Sequence, residues 1–150
     1  MCRYNGFSDI PLGYVYDGPN KDEGNYLLPT LNAEINGEKI LCPQRDINSD
    51  IPKAHLVIQN LLEESPDASV ILIAVGPLTN IARLLSDEGG VDLVKKKVAH
   101  VYLMSGDFSG KGAAEWNVLQ DLEASRKVYS QCPVPITTVG FEAGKDVQYP

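Results

Sequence analysis

Histidine and cysteine are too scarce in this chain to build a metal knuckle or a disulfide frame. There are two histidines and three cysteines. His55 and His100 stand far apart, as do Cys2, Cys42 and Cys132. An odd number of thiols at scattered spacing reads as reduced cysteines. Basic charge is short as well: 13 Lys and Arg stand against 20 Asp and Glu, a net charge of −7. A phosphate backbone needs a basic face, so a nucleic-acid partner is excluded. The acidic balance reads instead as a solubility feature. No apolar run approaches the roughly 20 residues of a membrane span, and no basic-then-apolar leader opens the sequence. A soluble chain without a visible signal peptide or membrane segment is expected, its compartment open. Internal repeats, low-complexity tracts and linkers are missing too. The 150 residues therefore read as one domain, 1–150, long enough to bury a core.

What is present is a set of apolar runs separated by helical patterns. Residues 9–15 read as a short strand. A long loop follows to about residue 49, with Asn36-Gly37 as the turn of a small hairpin between residues 33–35 and 39–41. A helix then starts near Ser49 or Asp50, takes Pro52 in its first turn and ends at Ser65-Pro66. Residues 69–75, Ser-Val-Ile-Leu-Ile-Ala-Val, form a continuous branched run that suits a parallel strand covered on both faces. Short helices are expected at 78–85 and 91–97. The second ends on Lys95-Lys96-Lys97, read as a solvated end that complements its dipole. Residues 98–104 read as a second buried strand, 121–130 as a helix and 135–139 as a third strand, with no closing helix after it. Strand, helix, strand, helix, strand predicts a three-layer, mostly parallel open sheet with crossover helices. Ligands of such sheets bind beyond the carboxyl ends of the strands. Those ends carry Gly76-Pro77-Leu78-Thr79-Asn80, Met104-Ser105-Gly106-Asp107 and Gly140-Phe141-Glu142.

Each of these segments has a plain structural explanation. Gly76 and Pro77 turn the strand, and Thr79 or Asn80 caps the next helix. Met104 is a core methionine before a turn. Glu115-Trp116-Asn117 is an exposed loop before the helix at 121, whose Asp121 and Glu123 serve its amino-terminal end. His55 and His100 read as structural histidines.

Taken together, however, Ala74-Val75-Gly76-Pro77-Leu78-Thr79-Asn80-Ile81-Ala82, Met104-Ser105-Gly106 and Ala114-Glu115-Trp116-Asn117-Val118 resemble the inosine/uridine-preferring nucleoside hydrolases. Residues 3–13, 121–125 and 140–144 extend the likeness over nearly the whole chain. It corresponds to the middle of a protein about twice as long. The resemblance implies a nucleoside hydrolase-like α/β fold and cleavage of the N-glycosidic bond of ribonucleosides. It implies that Glu115 and Asn117 hydrogen-bond the ribose hydroxyls, that Trp116 packs below the sugar and that Met104 lies near it. It implies that the backbone carbonyl of Thr79 is one ligand of a calcium ion. Ser105 replaces a family glycine, Trp116 replaces a phenylalanine, and the loop at 108–112 lacks a family Asn that contacts ribose.

The family's Asp-x-Asp-x-x-x-Asp-Asp segment, which holds calcium and supplies the catalytic base, has no counterpart in these residues. No catalytic residue is assigned. The chain reads as truncated at both ends and inactive alone, a fragment of a full enzyme. A split protein completed by another chain and a non-catalytic sugar- or nucleoside-binding or assembly module are the alternatives. Weak or absent calcium binding is expected, together with association into a homo-oligomer or with a complementing chain.

Overall fold

The computed structural model describes residues 10–18, 29, 32–39, 51–111, 114–145 and 147. The first regular piece is the expected hairpin, β1 (Glu34–Ile35) paired antiparallel with β2 (Glu38–Lys39). Asn36 and Gly37 both take positive φ, 55° and 81°. Two successive left-handed residues make the turn whose twist matches that of the flanking strands. Residues 40 and 41, at the end of the expected second strand, lie outside the described residues, as do Ser49 and Asp50.

The strand expected at 9–15 does not form over residues 10–15. Tyr14 alone makes a parallel bridge to Lys53: its N–H donates to Pro52 O at 2.9 Å and its carbonyl accepts from Ala54 N at 3.0 Å. Gly13 makes this approach possible, because a Cβ there would fall 2.4 Å from the Ala54 Cα. Helix α1 (Ala54–Glu64) starts from Lys53 without a side-chain cap and ends at Ser65, as the Ser65-Pro66 pair predicts.

Three parallel strands carry the domain: β3 (Val70–Ala74), β4 (Val98–Met104) and β5 (Ile136–Val139), in the order β3-β4-β5. The register places Ile73 beside Tyr102 and Tyr102 beside Thr137, and Met104 beside Val139. Helices α2 (Thr79–Ser86) and α3 (Gly90–Lys97) cross from β3 to β4. Helices α4 (Trp116–Gln120) and α5 (Leu122–Gln131) cross from β4 to β5. A four-residue helix, α6 (Phe141–Gly144), follows β5, where no closing helix was expected. The α/β parallel open sheet with crossover helices is therefore the architecture.

One core joins the sheet to its helices. Val101 and Leu103 from β4 meet Leu62 of α1, Ile81, Leu84 and Leu85 of α2, Val94 of α3 and Val128 of α5. Val70, Leu72, Ala74 and Ile136 pack against it from the neighbouring strands. Within α5 the buried face is Ala124, Ser125 and Val128, while Leu122 and Tyr129 are exposed. Gly90 lets α3 begin against α2, since a Cβ there would lie 1.8 Å from Leu84 O.

The opposite face of the sheet differs from expectation. Residues 69–75 were expected to be covered on both sides, yet Ile73 is 71% and Val75 77% exposed. The pleat explains the alternation: Leu72 and Ala74 point into the core, and Ile71, Ile73 and Val75 point away. The described helices of the core lie on the other side, so this face, with Tyr102 and Val139 beside it in register, meets no apolar layer among the described residues.

The lysine end of α3 also departs from expectation. Lys95 and Lys96 are exposed, but the Lys97 ammonium donates to Ser65 O at 2.8 Å and pairs with Asp67 Oδ1 at 2.9 Å. It fastens the turn after α1 to the start of β4. Ala68 N and Ser69 N donate to Lys96 O and Lys97 O in the same junction.

Candidate functional site

The carboxyl edge of β4 is built around a glycine turn. β4 ends at Met104, Ser105 donates its N–H to Val139 O at 3.0 Å, and Gly106 takes φ +89°. Such a φ suits glycine, which has no Cβ to clash. The turn is then held by a carboxylate. Glu115 Oε2 accepts from Gly106 N at 3.2 Å and from Val118 N at 3.1 Å, and Oε1 accepts from Asn117 N at 2.8 Å. Glu115 is thus the cap of α4, satisfying two of the N–H groups that a helix start leaves unpaired, and it binds that start to the β4 exit. A negative group also suits a helix amino terminus. The segment 115–117, read as an exposed loop, is a helix start, and Glu115 and Asn117 are buried.

Asn117 points its amide back at the strand end. Nδ2 donates to Met104 O and approaches Met104 Sδ, both at 3.0 Å. Met104 lies in register beside Val139 on the open side of the sheet. Met104, Glu115 and Asn117 therefore form one cluster at the carboxyl edge. Trp116 sits between the last two with its ring 57% exposed.

Thr79 belongs to a different contact. It is the first residue of α2, whose cap position is Leu78 without a side-chain cap bond. Neither Thr79 nor Asn80 caps the helix as expected. The Thr79 hydroxyl donates to Asp121 Oδ2 at 2.6 Å, while Asp121 Oδ1 accepts from Ala124 N at 3.0 Å and caps α5. Asp121 thus has the helix-start role expected of it, and also joins the two crossovers. A carbonyl at the first helical position points along the axis into the i→i−4 ladder. The Thr79 carbonyl therefore enters the ladder of α2 with one of its two lone pairs.

The calcium ion that the family resemblance implies can be tested against these donors. Calcium takes six to eight oxygens. No group of three His, Cys, Asp or Glu gathers among the described residues. With the Glu115 carboxylate held by backbone N–H groups, the Thr79 carbonyl is the one expected calcium donor among the described residues, and they do not by themselves complete a calcium site.

Other candidates carry structural contacts. His100 Nε2 lies 2.8 Å from Thr137 Oγ1, and its ring sits 4.6 Å from that of Tyr102. His55 Nε2 lies 3.8 Å from Asp87 Oδ2. Cys132 is free, its Sγ 3.6 Å from Val134 O, and Cys2 and Cys42 lie outside the described residues. A groove of about 480 Å³ between α2 and α5 is lined by Thr79, Arg83, Asp121, Arg126 and Lys127. Its guanidinium groups are paired, Arg83 with Asp17 at 2.6 Å and Arg126 with Glu123 at 2.7 Å. It lies on the helical side, away from Met104 and Asn117, and its carboxylates Asp121 and Glu123 are engaged, by Thr79 and Ala124 N and by Arg126.

Two residues named at the strand ends, Gly106 and Glu142, gain roles that the sequence did not assign. Gly106 matters as a donor to Glu115, and its only signal is a glycine after a strand. Glu142 accepts from Phe108 N at 3.2 Å and ties the β4 and β5 exits together. Asp107, in the same turn, is held below the usual carboxylate range, first by the Ser109 hydroxyl and then by the Ser109 N–H.

A parallel α/β domain with a Gly-Pro turn after one strand and a capped Glu-Trp-Asn helix start against the next defines a protein of the nucleoside hydrolase class. The chain belongs to the inosine-uridine preferring nucleoside hydrolase family, whose sequence model matches residues 1–149. It is 34% identical over 148 residues to a pyrimidine-specific ribonucleoside hydrolase RihA of Shewanella sp. (strain MR-4), covering 94% of this chain and 43% of that protein. It is 26% identical over 149 residues to uridine nucleosidase 1 of Arabidopsis thaliana, covering 94% of this chain and 42% of that one. The crystal structure of an inosine-uridine preferring nucleoside hydrolase from Bacillus anthracis superposes with a TM-score of 0.55 at 24% identity. That match covers 67% of this chain and 35% of the other, and bears on the fold alone. The chain thus spans about two-fifths of the length of these curated relatives. No helix among the described residues is long and apolar enough to cross a membrane.

Proposed function

We propose that this chain supplies the ribose-holding edge of a nucleoside N-ribohydrolase. The observation that carries the reading is the Asn117 carboxamide, buried and fixed 3.0 Å from both the Met104 carbonyl and its sulfur. It stands at the strand edge where open α/β sheets take ligands. With both amide bonds directed at Met104, the Asn117 oxygen is the atom offered to a sugar hydroxyl. Trp116 offers an apolar ring to the sugar face. Glu115, whose carboxylate accepts from three backbone donors, positions Asn117 and keeps one Oε1 acceptor site for a ribose hydroxyl.

In the reaction, water attacks the anomeric carbon as the bond to the base nitrogen breaks. One water proton goes to a general base, the C–N bonding pair goes to the base nitrogen, which takes up a proton from solvent, and ribose and free base leave. Fixing the sugar lowers the barrier by orientation, because the reacting carbon is presented in one pose. Glu115 is a poor candidate for the general base, because three backbone N–H groups already hydrogen-bond its carboxylate and hydrogen bonds to the charged form favour it. The missing Asp-rich segment is the source the family resemblance indicates for both the base and the calcium. Turnover by this chain alone is therefore expected to be negligible, and its calcium affinity low.

A second reading, a nucleoside- or sugar-binding module without turnover, rests on the absence of an acidic cluster among the described residues. Both readings place the ligand at Asn117. We also expect association with a second polypeptide, since the apolar sheet face is of the kind that drives pairing. The discriminating experiment measures free base released from uridine or inosine, with and without calcium, alongside binding of the intact nucleosides. Binding without release by the chain, and release once an Asp-rich segment is supplied, is the result expected of a hydrolase part. Binding with no release under either condition favours the module. Calcium-dependent release by the chain alone overturns the assignment of the base to an absent segment.

A further inference from the structure

We propose that the ring of Phe108 is a stacking platform for the base of a bound nucleoside, an assignment that rests on the ribose-holding reading above. Phe108 is 66% exposed, an unusual place for a phenylalanine, but its ring is closely seated. A Cβ at Gly106 would fall 3.2 Å from its Cζ, and a Cβ at Gly140 would fall 2.7 Å from its Cδ2. The ring therefore lies across the backbones of two glycines, one leaving β4 and one leaving β5. One side is pressed on peptide, and the remainder is open at the carboxyl edge of the sheet. No side chain larger than hydrogen fits beneath it at Gly140, where a Cβ would also fall 2.5 Å from both Glu142 carboxylate oxygens.

The segment beneath the ring is pinned on several sides. Phe108 N donates to Glu142 Oε2 at 3.2 Å, Phe141 N to Gly106 O at 2.9 Å, and Ser109 N to Asp107 Oδ1 at 2.8 Å. The same Gly106 donates to Glu115, which caps the helix carrying Asn117. Ring and carboxamide thus belong to one rigid edge, two residues on either side of a shared clamp. A planar aromatic surface on the same strand edge as a group suited to a sugar hydroxyl fits a ligand with a sugar at one end and a flat heterocycle at the other. Stacking uses the π-face, which every base has, so the platform would accept pyrimidines and purines alike and set affinity more than choice of base.

The experiment is a titration of uridine and of inosine into the chain, followed by the fluorescence of Trp116, its one tryptophan, and by calorimetry. Phe108→Leu keeps bulk and apolarity but removes the aromatic face; Phe108→Tyr keeps it. Both nucleosides are expected to bind Phe108→Leu about tenfold more weakly and Phe108→Tyr as the parent. Gly140→Ala, which displaces the ring, should match Phe108→Leu, and circular dichroism verifies that each variant is folded. Parent-like binding by Phe108→Leu together with loss in Asn117→Ala overturns the platform and leaves the ribose site standing. Absence of nucleoside binding by the parent chain overturns both.

Discussion

Glu115 shows how one carboxylate can organise an edge through backbone contacts. It accepts from Gly106, Asn117 and Val118, so its loss orphans the glycine turn as well as the helix start. Glu115→Ala is expected to cost about 1–2 kcal/mol, the range of a lost cap, measured by urea unfolding. Asn117→Ala should change stability less and nucleoside binding more, because its amide bonds are local to Met104. A larger stability loss in Asn117→Ala than in Glu115→Ala would reverse these roles. Gly90 makes a sharper prediction. Its absent Cβ would meet Leu84 O at 1.8 Å, while Gly89 has open space despite a φ of +74°. Gly89→Ala should therefore cost about 1 kcal/mol, the left-handed penalty, and Gly90→Ala clearly more, because backbone must move. Residue identities at the edge were readable from the Glu-Trp-Asn and Gly-Pro-Leu-Thr-Asn strings. Their contacts were not, because which atoms a carboxylate finds depends on a turn formed by residues nine positions away.

Among the elements, the junction of α1, α3 and β4 depends on Lys97. Asp67 is held below the usual carboxylate range, chiefly by its hydrogen bond from Lys97, with help from the charges of Lys96 and Lys97. A carboxylate whose folded pKa is lowered stabilises the fold above its unfolded pKa. That contribution fades as pH falls through the lowered folded value. The stability gap between the parent and Asp67→Asn should accordingly be present near neutrality and close under acid. A gap that stays constant with pH would show that the side chain acts through packing alone. The same holds for Asp17, lowered first by its hydrogen bond from Arg83 and then by that charge. The strands β3, β4 and β5 were legible because branched apolar runs of that length have few other uses. Helix α4 was not, since it is a single turn capped by glutamate, a residue outside the usual capping set. The segment 10–15 misled because its residues find one bridge, at Tyr14, and Ile10, Leu12 and Tyr14 stay exposed. Lys97 was misread because a run of three lysines gives no sign of which ammonium meets a carboxylate.

At the scale of the molecule, the sheet has one buried and one open face. Leu84 and Val101 are fully buried in the single core, and Leu84→Ala should cost about 2–5 kcal/mol, read as a shift in unfolding midpoint. On the open face, Ile71, Ile73 and Val75 are a contiguous apolar stripe beside Tyr102. Association of the chain is expected to depend on it, so Ile73→Lys with Val75→Lys should shift sedimentation toward monomer while leaving the circular dichroism of the core unchanged. A parent chain that stays monomeric at high concentration would contradict this. Periodicity alone could not separate a strand covered twice from one covered once, because β3 is apolar on both sides. The central claim is that a ribonucleoside is held where Asn117 meets Met104. The most direct measurement is the change in amide and methyl resonances as uridine is added to the chain. The prediction is that shifts concentrate on Met104, Gly106, Trp116 and the Asn117 side-chain amide, and vanish in Asn117→Ala. Shifts confined to the groove between α2 and α5, or the same shifts persisting in Asn117→Ala, would contradict it.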